Sequence, residues 1–334
     1  MRRRSAIAVC VLLLGLLTTE SKWVPHAIPA PPSSEWFPNA VYACDKGIFI
    51  APYLIRHWKD STPSGLPLSG IATIDKGAKR LLLVDFATSL DDLSGTDITG
   101  EGNPDVIIET YSGGAHCCSA TFVYDLGPTL AKVDVLSSPN GNSCGSFQDL
   151  DGDGVYEFVD ADDSFAYRYC AFAVSPAVRV ILKYEPGVGY VPASPEFAHL
   201  YAGDIARHTR WAECADEGAA REGWDDTPKC AVLPLVLDYL YSGQIEKAWG
   251  ALSHYYTFPD VESFRADIWA VVSQSPYFAL PKAQAILADD ARHFVGSCPV
   301  LCAKERFLSH LQWEGRAPLD RRWRGRDQAV AVDR

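Results

Sequence analysis

After its first twenty residues the chain has no apolar run approaching the ~20 residues that a bilayer-spanning helix needs, so no transmembrane segment is expected once those residues are removed. Several catalytic signatures are also missing. There is no H-E-x-x-H, C-x-x-C, phosphate-binding glycine loop or G-x-G-x-x-G. These absences remove the zincins, dithiol redox proteins, NTPases and dinucleotide enzymes from the readings that sequence motifs support. Positive charge is scarce as well: 30 Lys and Arg face 42 Asp and Glu, for a net charge of −12. An acidic surface repels nucleic acid and anionic lipid and suits divalent cations. No nucleic-acid partner is expected.

The N-terminus, MRRRSAIAVCVLLLGLLTTES, has three arginines, an apolar run from Ala6 to Leu17, and small polar residues. This is the form of a secretory signal, with residues 1–21 removed near Ser21 and the mature protein secreted or periplasmic. Cys10 lies inside the apolar run, so a lipoprotein reading fails. The signal carries three arginines and one glutamate, and its loss takes the net charge from −12 to −14. Residues 22–40 are rich in Pro and Ser and read as an extended lead-in. Residues 315–334, with six Arg against three Asp, read as a solvated, disordered tail.

From residue 41 to 194 short apolar runs recur between Gly, Pro and Asn: GIFIAPYLI, IATI and AKRLLLVDF around an Asp75-Lys76-Gly77 turn, VIIETY, SATFVYDLG, KVDVLSS, YEFVDA, CAFAV and VRVILKY. Their spacing predicts antiparallel strands, as does the alternation of aromatics over Ser164–Cys170. From 195 to 314 the period becomes helical, in AVLPLVLDYLYSG, IEKAWGALSHYY, ESFRADIWAVVSQ, AQAILADDARHF and AKERFLSHLQW. Ser242-Gly243 reads as a helix stop and Asp260 as an N-cap. Tyr239, Trp249 and Trp269 fall in core phase. The expected class is α+β: an antiparallel β domain followed by an all-α domain.

Ten cysteines are present, of which Cys10 leaves with the signal. Cysteines of an exported protein usually pair, and the nine that remain are odd in number, so one is free or bridges to another chain. Cys214 and Cys230 bracket a polar loop and are expected to pair; closing about 15 residues stabilises by roughly 3 kcal/mol. Cys298 and Cys302 form a second expected pair. Gly113-Gly114-Ala115-His116-Cys117-Cys118 precedes a strand, where neighbouring side chains diverge. Separate disulfides for Cys117 and Cys118 fit that geometry, with Cys144 and Cys170 as candidate partners. A vicinal disulfide, or a Zn²⁺ or Cu site with His116, are the alternatives. Gly113, Gly114, His116, Cys117 and Cys118 form a candidate functional patch, with Asp91, Asp92, Glu109 and Tyr111 expected nearby.

Two acidic segments align 52 residues apart. One contains Asp97, Thr99, Glu101, Gly102 and Asp105; the other Asp149, Asp151, Asp153, Gly154 and Glu157. In the second, carboxylates at alternate positions of a tight turn converge, Gly154 permits the reversal, the Val155 carbonyl adds an oxygen and Glu157 closes the shell. Hard oxygen ligands in a flexible loop select Ca²⁺. Asp160 stands where an EF-hand has its twelfth ligand, but the flanks read as strands, which rejects a helix–loop–helix site.

Loops of this kind feeding a short apolar strand resemble the FG-GAP and VCBS-type repeats of secreted proteins, and similar loops occur in integrin-like propeller blades. The chain also resembles exported bacterial proteins carrying GGAHCC after the first such loop. The resemblance spans about residues 85–185. It implies a structural Ca²⁺ held by Asp149, Asp151, Asp153 and Glu157, and a partial propeller-like or sandwich-like array. Thr99 and Glu101 replace aspartates, which implies a weaker first site.

These features predict an exported, Ca²⁺-supported, disulfide-stabilised binding or envelope-interaction module with a protein or glycan partner. One alternative is a periplasmic glycan hydrolase using carboxylates around 91–118 and 149–163. The other is a metal or redox protein centred on His116, Cys117 and Cys118.

Overall fold

The computed structural model describes residues 29–63, 70–113, 118–138, 144–215 and 226–279. The signal, the C-terminal tail, residues 114–117, Cys298, Cys302 and the last two helical segments lie outside these. The chain divides into two compact units, 1–166 with 179–193, and 167–178 with 194–334. The 167–178 segment, placed with the strands on sequence grounds, clusters with the helices.

The first unit holds three four-stranded antiparallel sheets, each a meander of consecutive strands. The first contains β1 (Tyr42–Ile50), β2 (Tyr53–Asp60), β3 (Ile71–Lys76) and β4 (Lys79–Asp85). The second contains β5 (Ala87–Leu90), β6 (Asp105–Tyr111), β7 (Ser119–Asp125) and β8 (Ala131–Ser138). The third contains β9 (Ser146–Gln148), β10 (Glu157–Asp162), β11 (Val178–Glu185) and β12 (Gly189–Pro192). Near-continuous apolar runs bury Val106, Ile107 and Ile108 of β6, and Val180, Ile181 and Leu182 of β11.

Two local expectations are corrected in the first sheet. GIFIAPYLI is a hairpin rather than one strand: β1 and β2 pair across Ala51–Pro52, whose peptide bond is cis. Proline cannot donate to a ladder and fits the reversal. The turn expected at Asp75-Lys76-Gly77 lies later, at Gly77-Ala78, where Gly77 has φ +60°. Asp75 is instead a fully buried residue of β3, paired with Arg56 at 2.7 Å and Arg80 at 2.9 Å. Two guanidinium groups compensate the burial of its charge.

The second unit contains α1 (Ala202–Glu213), α2 (Thr227–Tyr241), α3 (Ile245–Tyr255) and α4 (Val261–Val272). The Asp226 side chain accepts from Lys229 N at its start, and α2 buries Val232, Leu233, Leu235, Val236 and Leu237. Its one buried acid, Asp238, is bonded to His208 of α1 at 2.6 Å. Ser242 caps its C-terminus and Gly243 follows at φ +78°. Asp260 occupies the N-cap position of α4, yet its carboxylate accepts from Tyr256 and Lys229 instead of the helix backbone. Trp249 and Trp269 meet edge to face at 6.2 Å and are half-buried, as is Tyr239.

Residues 164–170, expected as a strand with alternating aromatics, form turns, and CAFAV contains a 3-10 turn at Phe172–Val174. The cause lies in what holds the segment. Arg168 and Tyr169 both bond Asp267 of α4, the Tyr169 ring meets Phe264 at 5.2 Å, and Asp226 N donates to Tyr169 O at 2.8 Å. Those contacts place Cys170 beside Cys230, and these two form a disulfide.

The expected Cys214–Cys230 pair is therefore overturned. Cys214, at the C-terminal end of α1, is a free, exposed thiol. The candidate partners for Cys117 and Cys118 are overturned too, because Cys144 is free and Cys170 is taken. Cys118 is disulfide-bonded, and since the other described cysteines are accounted for, its partner lies outside the described residues.

A peptide map under non-reducing conditions should recover Cys170 linked to Cys230, and alkylation without reductant should label Cys214 and Cys44. Replacing Cys170 with Ser should cost 2–5 kcal/mol on the general scale for native bridges, about what denaturant titration can resolve. A linked Cys214–Cys230 peptide would overturn the assignment.

Candidate metal centre

The second acidic loop leaves β9 at Asp149 and enters β10 at Glu157. Its backbone is wound around its own carboxylates. Gly152 N donates to Asp149 Oδ1 at 2.8 Å, Gly154 N to Asp149 Oδ2 at 3.2 Å, and Val155 N to Asp153 Oδ1 at 2.8 Å. Gly152 and Gly154 have φ of +79° and +88°, angles that side chains rarely permit. The result is convergence: Asp149, Asp151 and Asp153 each place an oxygen within 4.8 Å of the others, all exposed. Among the described residues no other three His, Cys, Asp or Glu do so.

Two further groups stand close to this cluster. Lys183 of β11 places its Nζ 3.2 Å from Asp151 Oδ2 and 3.9 Å from Asp153 Oδ2. The hydrogen bond from Lys183 holds the Asp151 carboxyl below the usual range, and the same bond raises the Lys183 ammonium. Glu157 is fully buried. Its Oε2 accepts from Leu150 N at 2.9 Å, while Oε1 is buried with no partner. Burial pushes its pKa up, and Asp151 adds to the shift.

The first loop, between β5 and β6, has the same skeleton. Gly102 N donates to Asp97 Oδ2 at 2.8 Å, as Gly154 does to Asp149. Ile98 N donates to Asp105 Oδ2 at 2.9 Å, as Leu150 does to Glu157. Asp105 opens β6 as Glu157 opens β10; it is fully buried, and its Oδ1 has no partner. Both loops therefore join the first and second strands of their sheets; in the first sheet that connection is the Ala51–Pro52 turn.

The loops differ where their sequences differ. Thr99 is buried, with its hydroxyl 3.1 Å from Asp105 Oδ2 and 3.4 Å from Asp97 Oδ1. Glu101 is exposed, and burial, with the Glu101 charge adding to it, pushes the Tyr184 phenol up. The Thr99 hydroxyl thus turns inward to both acids of the first loop, while Asp105 Oδ1 still has no partner. The loops also touch: Tyr156 N donates to Ile98 O at 2.8 Å, and a Cβ at Gly100 would lie 2.8 Å from Val155 Cγ2.

A separate cleft of about 390 Å³ gathers Asp91, Asp92 and Glu109 with Asp45, Lys46, His57 and Ser89. Ser89 bonds Glu109, His57 lies 3.1 Å from Asp45 Oδ2, and Lys46 pairs with Asp92 at 2.8 Å. Sequence reading missed Asp45, Lys46, His57 and Ser89. They come from strands with register shifts at Cys44/Lys46 and Ala87/Ser89, and bulges that re-aim side chains leave no clear sequence signal. Tyr111 does not line the cleft; it pairs with Ser119 in the β6–β7 ladder. Gly113 adopts φ +83°. Gly114, His116 and Cys117 lie outside the described residues. The sulfur of Cys118 is in a disulfide and is not a thiolate ligand.

Comparison with known proteins gives partial likenesses. Over 157 residues the chain is 27% identical to a Synechocystis protein described as a probable thylakoid lumen protein, covering 46% of this chain and 44% of that one. Over 83 residues it is 30% identical to an uncharacterized protein of Sinorhizobium fredii, covering 25% of this chain and 13% of the other. The chain thus spans less than half the length of these curated relatives. No family model and no solved structure matches it.

Asp105 makes a pH prediction. Burial, ahead of its hydrogen bonds and the nearby Asp125, pushes its pKa up to about 6. The folded value lies above the unfolded one, so the native state holds this proton more tightly. In chelator, the contribution of Asp105 to stability should be fully present below about pH 4 and fall by up to roughly 3 kcal/mol as pH rises through 6. The variant D105N should remove that slope in denaturant titrations; an unchanged slope would overturn the assignment.

Proposed function

We propose that the protein is an exported, calcium-binding, disulfide-stabilised binding or envelope-interaction module. In this reading Asp149, Asp151, Asp153, the Val155 carbonyl and Glu157 hold a structural Ca²⁺ ion, and Asp97, Thr99, Glu101 and Asp105 form a weaker counterpart. The observation that carries it is the buried, unpartnered oxygen at the same place in both loops, Glu157 Oε1 and Asp105 Oδ1. Leaving a buried acceptor unmade costs about 1–3 kcal/mol, more when charged. A hard cation at the loop removes that cost and quenches the repulsion of the Asp149, Asp151 and Asp153 carboxylates. The recurrence of the loop between first and second strands supports likeness to FG-GAP and VCBS-type repeats, with the sheets as successive blade-like units of an incomplete array. Export is supported by the signal-like N-terminus and by the lumenal description of the Synechocystis relative. No described helix is long and apolar enough to cross a membrane. The partner on this reading is a protein or glycan.

A Ca²⁺ ion that binds only the native form adds about 2.7 kcal/mol of stability at 100 times its Kd. Asp151→Asn should therefore lower the melting temperature clearly in Ca²⁺ and little in EDTA, where it loses only an exposed ion pair. Equal shifts in both conditions would sink the calcium reading.

The cleft favours a second reading, the carboxylate-dependent hydrolase, because it brings Asp91, Asp92 and Glu109 together beside Ser89 and His57. Glu109→Gln should then abolish glycan hydrolysis at an unchanged melting temperature. Equal turnover by wild type and variant, or none by either on a panel of envelope glycans, would reject it.

A further inference from the structure

We infer that Lys183 is a tethered competitor that an incoming metal ion displaces, making the second acidic loop an exchange site selective for divalent over monovalent cations. The inference rests on the calcium reading of that loop and adds how the site is controlled. Asp149, Asp151 and Asp153 are exposed carboxylates with oxygens inside 4.8 Å of one another, an arrangement that repels itself. The ammonium of Lys183 sits against two of them, at 3.2 Å from Asp151 Oδ2 and 3.9 Å from Asp153 Oδ2. Lys183 belongs to β11, which neighbours β10 in the same sheet, so the cation arrives from a fixed strand and not from the loop itself. Its side chain is only 29% exposed, so these carboxylates are its main compensation.

The charges then decide which ions enter. Three aspartates and one ammonium leave the loop at −2. A sodium or potassium ion brings no more charge than the ammonium already present, and the ammonium has the advantage of being attached. A divalent ion brings twice the charge and takes oxygen ligands that an ammonium cannot fill, Glu157 Oε1 among them. Exchange therefore favours Ca²⁺, lowers its affinity relative to the same loop without the lysine, and frees the Lys183 ammonium to solvent. A lysine suits this role better than an arginine, because a compact ammonium makes no bidentate lock on a carboxylate. Val155 and Tyr156 of this loop touch Gly100 and Ile98, so the exchange occurs beside the first loop as well.

The test is calcium titration by calorimetry on the full signal-free chain at fixed ionic strength, comparing wild type, K183M and K183R. K183M should bind Ca²⁺ at least ten-fold more tightly, and should melt lower than wild type in EDTA because the triad is uncovered. K183R retains the charge and should stay within a few-fold of wild type. Raising NaCl should weaken Ca²⁺ binding more in K183M than in wild type. Unchanged or weaker binding by K183M overturns the role of Lys183 and leaves the calcium reading standing. Absence of calcium heat in all three proteins, each folded by its melting curve, removes both.

Discussion

The arrangement of the first unit depends on one repeated bond: the carboxylate that opens a sheet's second strand accepts the backbone N–H of the residue following the loop's first aspartate. Asp105 does this for Ile98 and Glu157 for Leu150. Each bond closes a loop onto the strand it feeds and buries a carboxylate at the root of the turn. From that follow the glycine reversals, the direction of the aspartates, and the contact of one loop with the other through Ile98, Gly100, Val155 and Tyr156. Neither carboxylate has a guanidinium beside it of the kind that covers Asp75. Asp75 is a brace, saturated by Arg56 and Arg80, whereas the two loop acids each retain an acceptor oxygen. The same residue class thus serves two ends within one unit, set by what stands opposite.

The two loops also show how small a change separates a gathered acid site from a closed turn. Thr99 takes the place that Asp151 has in the second loop, and its hydroxyl reaches inward to Asp97 and Asp105. An aspartate there could only accept, so Asp151 turns outward toward Lys183. Donor or acceptor at the third position decides whether that side chain turns inward to the loop's own acids or presents charge to solvent.

Much of this was legible in the chain. The 52-residue offset of the acidic segments is the offset between Asp105 and Glu157 at the starts of β6 and β10, each the second strand of its sheet. The three described helices read from period, α2, α3 and α4, are present, since their apolar faces are unbroken; α1 was not singled out, being polar around most of its circumference. The errors have physical causes. Pairing Cys214 with Cys230 used proximity along the chain, while the actual partner, Cys170, is brought in by the bonds of Arg168 and Tyr169 to Asp267. The aromatic run over residues 164–170 has strand-like alternation, but Arg168 and Tyr169 bond α4 instead of joining a ladder. The cleft around His57 was invisible, because bulges re-aim residues without altering composition.

The meander order of the sheets has a consequence for variation. Each sheet is closed by neighbouring strands in chain order, so a connection between first and second strands can lengthen without disturbing any ladder. The Ala51–Pro52 turn, the loop of residues 91–104 and the loop of residues 149–156 are three lengths of one joint. A chain built this way can lengthen or shorten such a loop at a single place, with its hydrogen-bond registers left intact, so its loops can diversify faster than its framework.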